Sequence, residues 1–85
     1  MNKYNIRLVQ SVAKKLSKLP SEIEDKIYTA IQSLSHNPRP SGCKKLKGHD
    51  GYRIRVGDYR IIYQIKDNIL TVLVLAIGHR KDIYQ

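Results

Sequence analysis

At 85 residues the chain has room for one hydrophobic core, so a single domain spanning 1–85 is expected. Sixteen Lys and Arg against seven Asp and Glu leave a formal charge of +9, a field that recruits polyanions, nucleic acid first and an acidic protein or membrane surface second. The lone Cys43 rules out an intrachain disulfide and fits a reducing compartment. The charged N-terminal segment and the short apolar stretch Ile69 to Ile77 argue against a leader or a bilayer span, so a cytoplasmic location and no membrane partner are expected.

Tyr4, Ile6 and Leu8 alternate with polar residues and predict a first strand. Val12, Ala13, Leu16 and Leu19 recur at helical spacing, with Lys14, Lys15 and Lys18 on the polar side, and Pro20 stops that helix. Ser21 followed by Glu24 has the pattern of a capping box, opening a second helix whose apolar line is Ile23, Ile27, Ile31 and Leu34. The run Asn37 to Gly42 breaks the chain, and the basic stretch Lys44, Lys45 and Lys47 follows it. From Tyr52 onward the pattern is strand-like. The order predicts an α+β fold: an N-terminal strand, a two-helix hairpin, then an antiparallel three-stranded meander, with the helices packed on one face of the sheet.

The segments Tyr52 to Val56 and Tyr59 to Tyr63 flank Gly57-Asp58, a two-residue loop with glycine first, as a type II′ hairpin requires. That register sets Val56 opposite Tyr59, Arg55 opposite Arg60, Ile54 opposite Ile61 and Tyr52 opposite Tyr63. Alternation then gives the tyrosines and Ile54, Val56 and Ile61 one face and Arg53, Arg55 and Arg60 the other. Like charges directly across a strand pair repel. Three guanidiniums gathered this way call for an anion between them, and their planar fork suits phosphate. The nearby acids, Asp50, Asp58 and Asp67, fall at predicted turns rather than among the arginines.

Asp67-Asn68 predicts the next tight turn, which would put Leu70, Val72 and Val74 on the core face against Ile65, Tyr63 and Ile61. Leu73, Leu75 and Ile77 would then lie on the arginine side, as would His79 by parity. The tail brings His79, Arg80 and Tyr84 into one short segment. His and Cys lack zinc spacing, the acids are too scattered for a two-metal nuclease, and no phosphate-binding glycine loop is present. No cofactor or metal is expected.

Taken together, Lys45-Leu46-Lys47-Gly48, the run Gly51 to Tyr63, Ile77-Gly78-His79-Arg80 and Asp82-Ile83-Tyr84 resemble the RelE branch of the RelE/ParE toxin superfamily, over essentially the whole chain. The resemblance implies the toxin of a type II toxin–antitoxin pair, a metal-independent mRNA endoribonuclease working in the ribosomal A site and restrained by a cognate antitoxin. It assigns Arg60 to the phosphorane and Arg80 to the leaving oxygen. Arg53, Arg55 and Tyr84 complete the catalytic set it implies, His79 joins them by its adjacency to the expected phosphate site, and Lys44, Lys45, Lys47 and Lys81 would contact RNA. Relatives carry lysines where Arg53 and Arg55 stand, and some have a longer gap than that from Arg80 to Tyr84. The alternatives are a ParE-like toxin that poisons DNA gyrase and a non-catalytic nucleic-acid-binding module.

Overall fold

The computed structural model describes residues 3–48 and 50–79. Two helices, α1 (Gln10–Ser17) and α2 (Ser21–Ser33), cover one face of a five-stranded sheet. Its strands are β1 (Asn5–Leu8), β2 (Lys44–Lys45), β3 (Tyr52–Val56), β4 (Tyr59–Lys66) and β5 (Thr71–His79), in the spatial order β1-β5-β4-β3-β2. The α+β class, the helical hairpin and the meander β3-β4-β5 are as the sequence predicts. Two pairings are added. The first strand lies parallel to β5, with Ile6 beside Val72 and Leu8 beside Val74. The basic stretch supplies a short fifth strand, β2, antiparallel to β3.

Ile77 apart, the core is built from the predicted faces. Val12 and Leu16 of α1, Ile27, Ile31 and Leu34 of the α2 segment, and Ile54, Ile61, Tyr63, Val72, Val74 and Ile77 of the sheet are all buried. The expected capping box does not form. Pro20 itself occupies the N-cap, with φ −54° and ψ 145°, so Ser21 is already helical and makes no side-chain cap bond. Glu22 and Glu24 still place negative charge in the first turn, where the helix dipole favours it.

The β3–β4 hairpin has the predicted register at each of its five pairs. Gly57 has φ +59°, and Asp58 is not among the residues with positive φ, as a type II′ turn demands. The next connection departs from prediction. Asp67–Ile69 winds into a 3-10 turn and Leu70 takes φ 48°, so β5 begins at Thr71 and its register slides by two residues: Ile65 pairs with Val72 and Tyr63 with Val74. A bulge between Ile62 and Tyr63 then leaves Leu75 as the extra residue, since Ile62 pairs with Ala76 and Ile61 with Ile77. One inserted residue exchanges the two faces. Ile77, expected on the arginine side, is therefore core at 2% exposure. His79, expected there too, pairs with Tyr59 on the helix side.

Beyond the end of β1, no strand among the described residues pairs with the outer edge of β5. Lys15 of α1 reaches it, donating from Nζ to the carbonyl of Ile77 at 3.0 Å. At the opposite end of the sheet a polar clamp ties the chain together. Asp67 accepts from the Tyr4 hydroxyl and from Arg39 at 3.0 Å, and Arg39 also donates to the Tyr52 hydroxyl at 3.3 Å. The buried Tyr63 hydroxyl donates to the Pro38 carbonyl at 2.7 Å.

Candidate nucleic-acid site

The face of the sheet away from the helices carries the arginines. Two registers fix their arrangement. Arg55 stands directly across from Arg60, which in turn pairs with Gly78 of β5. One row away from the hairpin tip, Lys44, Arg53, Ile62 and Ala76 line up across four strands. Side chains opposite each other in such pairs have Cβ atoms about 4.5–5.5 Å apart. Lys44, Arg53, Arg55 and Arg60 thus form a cationic field over the β2–β3–β4 end of the open face. Gly78, the direct neighbour of Arg60 on β5, adds no side chain to that row.

Nothing among the described residues neutralises Arg53 or Arg55 with a carboxylate. Arg55 makes one long contact, from Nε to the Gly57 carbonyl at 3.4 Å, which draws its side chain toward the hairpin tip. The ion pair between Arg39 and Asp67, at 3.0 Å, belongs to the clamp at the other end of the sheet. Its hydrogen bonds from Arg39 and Tyr4 hold the Asp67 carboxyl below the usual carboxylate range. Burial pushes the Tyr63 hydroxyl well above its ordinary value, keeping it a neutral donor. Neither perturbed group reaches the arginines, so the clamp is structural and the field owes its character to permanently charged side chains.

The remaining expected residues divide. Lys44 joins the field. Lys45 pairs with Tyr52 and so has the opposite parity, and Lys47 lies exposed in the turn beyond β2. His79 stands edge-on to Tyr59, ring centroids 5.3 Å apart, on the helix side. Arg80, Lys81 and Tyr84 lie outside the described residues. One cation escaped the sequence reading. Arg7 pairs with Leu73, and Leu73 with Gln64, which puts Arg7 on the open face at the β1 edge. Its parity was legible from Ile6 and Leu8, but its membership of this sheet rests on a parallel pairing across more than sixty residues. Between Arg7 and the field lie Ile62, Leu73 and Ala76, half-buried apolar side chains on the same face. Among the described residues no group of three or more His, Cys, Asp or Glu could hold a metal ion, and no helix is long and apolar enough to cross a membrane.

A small α+β domain with a cationic open sheet face is suited to meeting a polyanion. The family model for the ParE toxin of the type II toxin–antitoxin system parDE matches residues 6–84. Toxin RelG of Mycobacterium tuberculosis is 33% identical over 96% of this chain and 97% of its own length. Toxin RelE3 of Methanocaldococcus jannaschii is 34% identical over 93% of each. In solved structures, the RelE of the archaeal RelE–RelB complex from Pyrococcus horikoshii superposes with a TM-score of 0.84 at 28% identity, covering 95% of this chain and 99% of that one. The toxin–antitoxin complex RelBE2 of Mycobacterium tuberculosis gives 0.83 at 30% identity, covering 94% of both chains. The chain belongs to the RelE family of the RelE/ParE toxin superfamily.

Proposed function

We propose that this RelE-family toxin is an mRNA endoribonuclease that cleaves in the ribosomal A site and so halts translation in the cytoplasm. The observation that carries the reading is the Arg55–Arg60 pair, flanked by Arg53 and Lys44, with no carboxylate of the described chain set against Arg53 or Arg55. In the reaction the ribose 2′-oxygen attacks the adjacent phosphorus and loses its proton. The bond from phosphorus to the 5′-oxygen breaks, leaving a 2′,3′-cyclic phosphate and a 5′-hydroxyl. Charge accumulates on the phosphorane oxygens, where fixed guanidiniums stabilise it, most directly Arg60. By the family resemblance Arg80 assists the departing 5′-oxygen and Tyr84 contacts the substrate, while Lys47 and Lys81 add cationic contacts to RNA. The guanidiniums supply the positive charge that a metal ion provides in other nucleases, so the proposed reaction needs no metal.

Arg53 and Arg55 hold their protons too firmly to serve as a base, and His79 lies across the sheet from them. What the site offers is alignment and charge. Alignment must come largely from the ribosome, which explains why free RNA would be a poor substrate. Purified protein is expected to cut translated mRNA and to leave the same naked message nearly intact. Arg60→Ala should lower cleavage about 100-fold or more with the fold unchanged. Equal cutting of both RNAs, or an unaffected Arg60→Ala variant, would remove the proposal.

Solved relatives include complexes with antitoxins, which supports a cognate antitoxin for this chain. The half-buried apolar strip of Ile62, Leu73 and Ala76 beside the cations is a surface suited to an amphipathic acidic segment. The match to a ParE toxin model favours a second reading, inhibition of DNA gyrase. A supercoiling assay separates the two, since a gyrase poison would keep its toxicity when Arg60 is replaced.

A further inference from the structure

The helix side of the hairpin tip holds a groove that cleavage of the RNA backbone does not use. It measures about 330 Å³ and opens between the first turns of α2 and the end of β5. Ile23 and Ile27 form its apolar back, Tyr59 and His79 contribute two rings at 82° to each other, and Lys26 and Asp58 stand exposed at its rim. Among the described residues neither Lys26 nor Asp58 is in an ion pair. Apolar walls, aromatic faces and a few convergent polar groups are the composition of a small-ligand pocket.

We propose that this groove receives a guanine base of the RNA whose phosphate rests on the arginine row, an inference that builds on the nuclease reading. Guanine presents two adjacent donors, N1–H and the N2 amino group, and a carboxylate accepts both at once. Asp58 is the acid on the groove. Guanine also presents O6 and N7 as acceptors in the major groove, and the Lys26 ammonium is a donor without an acceptor function. Adenine turns an acceptor, N1, toward the same position, where a carboxylate repels it. Because the Tyr59 and His79 rings stand at 82° to each other, a base can lie flat on one of them only, a contact worth about 1–3 kcal/mol in comparable platforms that does not discriminate between bases.

Continuity with the arginines comes from the hairpin. Val56 and Tyr59 are the pair that closes it, and Arg55 and Arg60 are the pair immediately before. A strand advances about 3.4 Å per residue, so the two faces are joined by a short step around the tip. Gly57 makes that tip bare: a Cβ built there would meet nothing within 4 Å. One nucleotide can therefore keep its phosphate on the open face while its neighbour's base turns over the tip into the groove.

The test uses the full chain and fluorescence anisotropy of 2′-O-methyl heptaribonucleotides, which cannot be cleaved: three uridines on each side of a central guanosine, adenosine, cytidine or uridine. The guanosine heptamer is expected to bind about tenfold more tightly than the adenosine one, the scale of one bidentate base contact. Asp58→Asn should erase that preference, while Asp50→Asn, an identical charge change at another exposed turn, should preserve it. Equal affinity for the four heptamers, or a preference that survives Asp58→Asn, overturns the inference. Cleavage plays no part in this measurement, so a chain that selects guanine yet cuts no ribosome-bound message would keep the groove and lose the nuclease reading.

Discussion

Asp67 is the residue on which the far end of the sheet turns. It accepts from Tyr4, which precedes β1, and from Arg39, which lies between α2 and β2, so three distant parts of the chain meet on one carboxylate. Those two bonds lower its pKa in the folded protein from the ordinary 3.8. A depressed folded value means the contribution to stability is complete above 3.8 and disappears as pH falls through the folded value. Wild type should therefore melt at a higher temperature than Asp67→Asn at neutral pH, with the gap steady down to about pH 5 and closing in stronger acid. A gap that is constant to the lowest pH reached would show that the carboxylate's charge is not what the clamp uses.

At the level of elements, the bulge in β5 decides which side chains belong to the core. If alternation had run unbroken, Ile77 would face the arginines and Ala76 the helices. With Leu75 inserted the reverse holds. Ile77→Lys should then cost several kcal/mol, since it forces an unpaired ammonium among buried side chains, whereas Ala76→Lys on the open face should stay within about 0.5 kcal/mol. Urea melts of the two variants measure the difference, and similar midpoints would mean that the faces have been assigned the wrong way round. The local rules explain why the sequence led to the β3–β4 hairpin and not to β5. Gly57-Asp58 specifies its turn and thereby its register, and both flanking strands alternate cleanly. The segment from Ile69 onward is apolar on both sides, so no alternation marks where a residue has been slipped in. The arginine pair was accordingly legible and the side taken by His79 was not. Lys44 was recognised as basic, but only its pairing with Arg53 puts it in the same row.

Over the whole molecule, charge and topology act together. Sixteen basic residues give an overall charge of +9, yet four of them, Lys44, Arg53, Arg55 and Arg60, make up the cationic field on one end of one face. Binding to single-stranded RNA should follow that local number. With about 0.7 of a counterion released per phosphate neutralised, four contacts give a slope of about −3 in a plot of log affinity against log salt. A slope near −1 would mean that the field does not engage the backbone as a unit. The total charge instead governs how fast RNA or an acidic partner is met, an effect that salt screens over about 10 Å at ordinary ionic strength.

The sheet order sets β5 between β1 and β4, so the strand that knits the two halves is the last of the five in the chain. A polypeptide ending before Thr71 has a first strand with nothing to lie against and a hairpin missing Val72, Val74 and Ile77 from beneath it. Such a product cannot present its arginines on a firm platform. The basic surface of this toxin is thereby completed only once the last described strand is in place, so an unfinished copy carries the charge without the scaffold that gathers it.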